Sequence, residues 1–163
     1  MLGAMTEDHS AHVRLHIGGT ETTGAEVDEV VPARHLGDDL YVVLGTPGVV
    51  YGCAAGDTVR VRPDGRFVVV ERGGNIALHI YGRHQFEDRQ IDALRARFEP
   101  LDGIVEAPPG ARFAVVTVPA TAGFPAIEAA VGNWVSAQAE AEWFFGNVYD
   151  DEGAALRWWE QPN

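Results

Sequence analysis

The chain has 163 residues, of which 46% are hydrophobic and 22% charged, the composition of a soluble globular protein of one domain or two small ones. Its formal charge of −12 opposes the phosphate backbone, so we expect no nucleic-acid partner; the acidic surface fits solubility first and a basic protein partner second. All twelve basic residues are arginine. The absence of lysine excludes Schiff-base chemistry, a phosphate-loop lysine and a lysine general base.

Cysteine usage and hydropathy bound the cellular location. The single cysteine, Cys53, cannot form an internal disulfide. Residues 1–11 lack the basic and then apolar pattern of a secretory signal. No apolar run approaches the roughly 18 residues of a membrane span. We therefore expect a cytoplasmic location without membrane association.

The first half of the chain reads as short strands joined by tight turns. Residues 1–11 are small and polar, which predicts a disordered N-terminus. Apolar alternation and turn residues then predict strands over residues 13–17, 26–31, 40–44, 49–53, 58–62 and 67–72. The fifth and sixth of these form a hairpin around Pro63-Asp64-Gly65, and the second stops before Pro32.

The second half alternates strands with helices. Strand patterns cover residues 76–80, 104–106, 112–118 and 143–149, and helical spacing covers about 11 residues from Glu87 and then residues 124–140. The order is β-α-β-β-α-β, which is that of the ferredoxin-like fold. The sequence therefore predicts an α+β protein, with a small antiparallel β-barrel or sandwich over residues 12–72 and a ferredoxin-like unit over residues 73–149. Residues 150–163 form an acidic and aromatic tail, and Gly73-Gly74 is either a hinge or a turn that fuses the two halves.

Three glycine-containing segments carry a family resemblance. They are residues 44–47, the run Gly52-Cys53-Ala54-Ala55-Gly56-Asp57, and the turn Gly73-Gly74-Asn75. Together with residues 115–119 and the helix after them, they resemble the bacterial family of unknown function DUF4265 across about residues 12–148. The chain departs from the family pattern after the turn, where apolar Ile76 and Ala77 stand in place of polar residues. The resemblance implies one recurring architecture and no assigned activity.

Four residues are candidates for catalysis. Cys53 is the only possible thiol nucleophile, with His79 or His84 as its base, and Asp57 is a possible acid, base or ligand. Two of them have a structural alternative: Cys53 as a buried cysteine in an apolar setting, and Asp57 as an aspartate that binds the backbone amides of its own turn. No sequence motif joins the four, which favours the structural alternatives.

The spacing of the histidine, cysteine and glycine residues gives little support for a metal or cofactor site. His12 and His16 lie on one face of a strand, but they are too far apart for a shared metal. Cys53, His79 and His84 are suitable ligand types without a supporting pattern. The Gly73-Gly74 turn lacks the complete phosphate-loop and dinucleotide patterns. We expect neither a metal nor a cofactor.

Aromatic density is the more unusual feature of the second half. Ligand or partner contacts are predicted for a set of residues rich in aromatic side chains near its end: Arg83, His84, Trp143, Phe145, Tyr149, Trp158 and Trp159. The final Trp pair either folds back over the sheet or is exposed for a partner.

Three functions follow from these features. The first is a binding module that engages a protein or small ligand at the junction of the two halves, in the manner of an antitoxin or immunity protein. The second is a small hydrolase or isomerase that uses Cys53, Asp57 and His79 or His84. The third is a structural protein that forms homo-oligomers through an exposed edge strand.

Overall fold

In a computed structural model, which describes residues 10–19 and 26–160, the chain forms two antiparallel sheets and two α-helices. The first sheet runs in chain order through β1 (Ser10–Gly19), β2 (Glu26–Gly37), β3 (Leu40–Val43), β4 (Thr58–Val61) and β5 (Phe67–Glu71). The mixed sheet and helix composition confirms the α+β class. The predicted N-terminal disorder falls on residues outside the described part up to residue 9, and β1 begins at Ser10.

The first sheet is antiparallel, as predicted, but it is not a closed barrel. Its outer strands, β1 and β5, share no ladder within the described residues, and the backbone bond on that side joins the His16 N–H to the Gly65 carbonyl. Residues 44–57, the loop between β3 and β4, contribute Val50 and Cys53 to the core of this sheet. Side chains of this loop thus fill core space that, in a closed barrel, the side chains of the strands would fill.

Two predicted features of the first half are wrong. β2 does not stop before Pro32: it continues to Gly37, and the Pro32 carbonyl accepts the Leu44 N–H just where β3 ends. Pro32 pairs with His12 of β1, and its nitrogen lies on the side of Leu44, one residue beyond the end of β3, so the β2–β3 ladder ends before it would need an amide proton from Pro32. Residues 49–53 form no strand, because the amides of residues 48–50 donate to the Glu29 side chain instead of to a neighbouring strand.

The second sheet has the strand order β7-β8-β6-β9, with a helical layer on one face. Its strands are β6 (Asn75–Gly82), β7 (Ile104–Glu106), β8 (Phe113–Pro119) and β9 (Ala141–Phe145), and its helices are α1 (Asp88–Phe98) and α2 (Phe124–Ser136). Apolar residues from both helices and from alternate positions of β6 and β8 form one core, which includes Leu78, Val116, Phe98 and Trp134. Among the described residues, no helix is long and apolar enough to cross a bilayer.

β9 ends at Phe145, earlier than the predicted residue 149. Beyond it, the side chain of buried Asn147 takes over the pairing with β6: its Oδ1 accepts the Ala77 N–H, and its Nδ2 donates to the Asn75 carbonyl. Side-chain amides of this kind end a ladder without leaving buried backbone groups unpaired. The chain then turns back, with a bridge between Tyr149 and Ala155.

Candidate functional site

Asp57 links the end of the β3–β4 loop to the segment that follows β5. Its side chain is fully buried, and its carboxylate accepts the Ala54 N–H at 2.9 Å and the Gly73 N–H at 2.8 Å. The Arg72 guanidinium approaches it at 3.4 Å. Burial raises the pKa of Asp57, while the two amides and Arg72 oppose that rise. The Ala54 amide belongs to the turn that Asp57 ends, as the turn-aspartate alternative expects, whereas Gly73 and Arg72 come from the segment after β5.

Cys53 lies in the core of the first sheet with no exposed surface. Burial, and secondarily the charge of Asp57, raises the pKa of its thiol to about 12. Because the thiolate is the nucleophile, a thiol in this setting is inert at neutral pH.

His79 is buried on the face of the second sheet that lies opposite the helices. Its Nδ1–H donates to the Gly48 carbonyl at 2.9 Å, and its ring lies 4.5 Å from that of Tyr51, between centroids. Within the described residues its Nε2 has no hydrogen-bond partner, and it faces Gly146, where a Cβ would come within 2.4 Å. Burial lowers the pKa of His79, so the imidazole is neutral.

The four catalytic candidates do not form one accessible site. Cys53, Asp57 and His79 are buried, whereas His84 is exposed and lies 3.7 Å from Glu140. In the described ranges, no hydrogen bond joins any two of the four, and no group of three acidic, histidine or cysteine side chains has the geometry for a metal. These residues therefore offer no assembled catalytic set.

The β3–β4 loop covers the free face of the second sheet. The hydroxyls of Thr46 and Thr117 share a hydrogen bond of 2.6 Å, as do those of Tyr51 and Tyr81. The Gly52 N–H donates to the carbonyl of Gly146 at 2.7 Å. The β3–β4 loop therefore packs against the face of the second sheet that carries no helices.

A cleft of about 520 Å³ remains at the junction, between β2 and the β7–β8 edge of the second sheet. Its lining includes the half-buried Glu29, whose carboxylate accepts the N–H groups of Gly48, Val49 and Val50 at 2.7–3.1 Å. None of the residues predicted to bind a ligand lines this cleft. Glu29 already binds the three amides of this cradle, so the amides are not available to a ligand, although Arg95 and Glu106 also line the cleft.

A second concave surface lies along β9, the outer strand of the second sheet. We call it the aromatic hollow; it has a volume of about 450 Å³ and is lined by Glu128, Trp143, Phe144, Phe145 and Tyr149. Phe144 and Tyr149, which both line the hollow, are 49% and 52% exposed. The structure thus brings together three of the residues predicted from sequence: Trp143, Phe145 and Tyr149.

The wall of the hollow rests on a network of rings. Phe145 packs edge-on against Trp143 at 5.0 Å and against Phe124 at 5.6 Å between centroids, and Phe124 contacts Trp159 at 5.1 Å. The Trp158 indole N–H donates to the carbonyl of Asn147. Trp158 and Trp159 are therefore folded back on the core, and they support the hollow rather than line it.

A groove of about 580 Å³ meets the hollow at Tyr149, which lines both. One wall of this junction groove comes from the first sheet and carries Arg62 and Arg66, and the other carries Asp150 and Asp151. The groove lies at the junction of the two halves, where the sequence predicted a ligand.

Arg83 and His84 lie away from the hollow. Arg83 pairs with Glu140 at 3.0 Å, at the end of β6, and neither residue lines the hollow. Sequence reasoning missed Glu128, although α2 has no other charged residue. A lone charge on an apolar helix is the signal that could have found it.

Comparisons with known proteins agree with this description. A family model described as a domain of unknown function (DUF4265) matches residues 29–143, which confirms the resemblance predicted from the glycine turns. A crystal structure of a hypothetical protein from Neisseria gonorrhoeae is similar, with a TM-score of 0.63 and 15% identity over 85% of this chain and 96% of that one. A comparison with curated proteins found no match. At this identity the structural likeness concerns the fold alone.

Proposed function

The chain belongs to the DUF4265 family, and we propose that it is a non-enzymatic binding module that holds a basic segment of a protein partner in the aromatic hollow. The observation that carries the proposal is the exposure of Tyr149 and Phe144 on a concave surface whose other rings are supported from behind. Large rings on a preformed concave surface contribute much of the affinity at protein interfaces.

The positions of the catalytic candidates in the structure support a binding role. Cys53 lies in the core, Asp57 binds the segment that follows β5, and His79 holds the loop through Gly48. The accessible concave surfaces around Tyr149 contain no thiol. The geometry therefore favours binding over the hydrolase or isomerase alternative.

Charge supports a basic partner. The chain carries a formal charge of −12, and Glu128 is the one charged side chain among the described residues that line the hollow. The adjoining groove has mixed charge, because it carries arginines as well as Asp150 and Asp151, so the preference for a basic partner rests on the hollow and on the net charge of the chain. An acidic surface speeds the association of basic partners and disfavours acidic ones. An antitoxin or immunity-type role, in which an acidic chain blocks a basic one, is one form of this function, and we propose a cytoplasmic setting for it.

We also infer that the second half is a ferredoxin-like unit. The strand order β7-β8-β6-β9 and the packing of both helices on one face support this assignment. In such a unit the outer strand next to β6 is an edge, and its unpaired backbone is available to an extended segment. The aromatic hollow lies along that edge.

Native mass spectrometry tests the proposal. The protein is isolated gently from the cells that produce it naturally, as wild type, as Tyr149→Ala and as the control Ile104→Ala. Ile104 is a 60% exposed apolar residue on β7, the opposite edge of the same sheet. We expect a stoichiometric partner of different mass on the wild type and on the control, and its loss from Tyr149→Ala. A bare monomer, a homo-oligomer, or a partner that Tyr149→Ala retains would overturn the proposal, and a homo-oligomer would favour the structural alternative.

A further inference from the structure

We propose that the aromatic hollow is a receptor for a guanidinium group, and that its occupant is an arginine side chain of the basic segment. This inference rests on the proposed function and names the chemistry of the group that the hollow recognises. It follows from the rings, the carboxylate and an internal precedent elsewhere in the chain.

The rings of the hollow are arranged as walls rather than as one flat stack. Trp143 and Phe145 meet at 84°, and Phe145 and Tyr149 meet at 59° with their centroids 6.3 Å apart. Trp143 and Phe145 touch edge to face, with centroids 5.0 Å apart, so an occupant would lie over the ring surfaces that line the hollow and not between these two rings. A cation within about 6 Å of a ring centroid is attracted by the ring quadrupole, most strongly by Trp and Tyr.

Glu128 supplies the opposite charge. It is exposed on α2, and within the described residues no hydrogen bond or ion pair engages its carboxylate. An apolar occupant would cover this carboxylate and remove water without replacing its hydrogen bonds, which is unfavourable. A cationic occupant replaces them, so the hollow discriminates by charge as well as by shape.

The chain already holds one guanidinium in the same way. The Arg72 guanidinium lies 5.5 Å from the centroid of the Trp158 ring, and it also approaches the carboxylate of Asp57. The ring and the carboxylate in that contact correspond in type to Trp143 and Glu128. The residues that line the hollow include the same types of ring and carboxylate, but no basic side chain.

Arginine fits this set better than lysine. Its planar guanidinium stacks on a ring while its forked N–H groups reach a carboxylate, and it loses less hydration than an ammonium group does. We therefore expect an arginine at the centre of the bound segment.

The test is a titration followed by ¹⁵N NMR of the four tryptophan indole N–H signals. The probes are acetyl-Gly-Arg-Gly-amide and the same peptide with citrulline, which keeps the shape of arginine and removes its charge. Trp134, buried in the core, is the internal control, and Trp143→Phe assigns the signal of the hollow. The charge variants are Glu128→Gln and the matched Glu142→Gln, on β9 but outside the hollow.

We expect the arginine peptide to shift the Trp143 indole signal and to leave that of Trp134 unchanged. The citrulline peptide should bind about tenfold more weakly, as should the arginine peptide with Glu128→Gln, whereas Glu142→Gln should bind like wild type. Equal binding of the two peptides, no effect of Glu128→Gln, or no shift at Trp143 would overturn the inference. If one of these results were obtained while native mass spectrometry still showed a partner that Tyr149→Ala loses, the guanidinium assignment would fail but the proposed binding function would not.

Discussion

Replacing Gly73 by alanine should destabilise the protein severely, although this glycine has an ordinary backbone conformation. Gly73 is not among the residues with positive φ. Its constraint is space, because a Cβ there would lie 2.4 Å from the carbonyl carbon and oxygen of Gly56. Backbone atoms cannot move aside as the end of a side chain can, so the two segments must separate.

The size of the effect follows from the bonds that depend on this approach. Gly73 donates to the buried Asp57 carboxylate at 2.8 Å, and Gly56 donates to the Val43 carbonyl at 2.7 Å. Each buried group left unpaired costs about 1–3 kcal/mol, so the loss of both bonds lowers the free energy of unfolding by about 2–6 kcal/mol. That is a large share of the free energy of unfolding of a typical domain, which is roughly 5–15 kcal/mol.

Urea unfolding, followed by tryptophan fluorescence and circular dichroism, measures this loss. Gly74→Ala is the matched control, since Gly74 has φ of +93° and open space around a Cβ, so only its backbone strain is changed. That strain costs about 1–2 kcal/mol. Gly132→Ala, in α2 with open space, should stabilise the protein by about 0.5–1 kcal/mol. A Gly73→Ala loss no larger than that of Gly74→Ala would refute the reasoning.

Three further predictions concern the buried candidates and the loop. Because burial lowers the pKa of His79, the unfolded chain binds its proton at a higher pH than the folded chain does. Stability should therefore fall as the pH decreases below about 6.5, by up to about 1.4 kcal/mol per pH unit from this residue, and urea midpoints of His79→Asn should lack this component. Cys53, with its pKa raised to about 12, should react with iodoacetamide at pH 8 only upon unfolding, and rapid modification of the folded protein in a mass-spectrometric time course would contradict its burial. Glu29→Gln keeps the size of the side chain but weakens the three bonds from residues 48–50, so it should lower the free energy of unfolding by about 1–3 kcal/mol, and unchanged urea unfolding would show that the cradle contributes nothing.

Local patterns were enough to predict most of the secondary structure. Alternation and turn residues predicted the hairpin of β4 and β5, and helical spacing predicted α1, whose buried residues are Ile91, Leu94 and Phe98. Where the pattern misled, a long-range partner decided the structure. Pro32 stays in a strand because β3 ends beside it, and residues 49–53 form no strand because Glu29, about twenty residues earlier, binds their amides.

The candidate site was predictable in its residue types and not in its assembly. Aromatic density singled out Trp143, Phe145 and Tyr149, and the structure places them in one hollow. Glu128 joins them only through the packing of α2 beside β9, which no local pattern specifies. His79 looked chemically useful in the sequence, but its role depends on the loop that passes over it and on the close approach of Gly146.

Hydrogen exchange on the native complex tests the central claim most directly, namely that the partner binds at the β9 edge. The wild-type protein is compared with and without the partner that remains bound during isolation. We predict slower exchange over residues 141–151 and no change over residues 29–32 and 105–108, which line the cleft between β2 and the β7–β8 edge. Slower exchange at this cleft in place of the β9 edge, or the absence of any retained partner, would contradict the account.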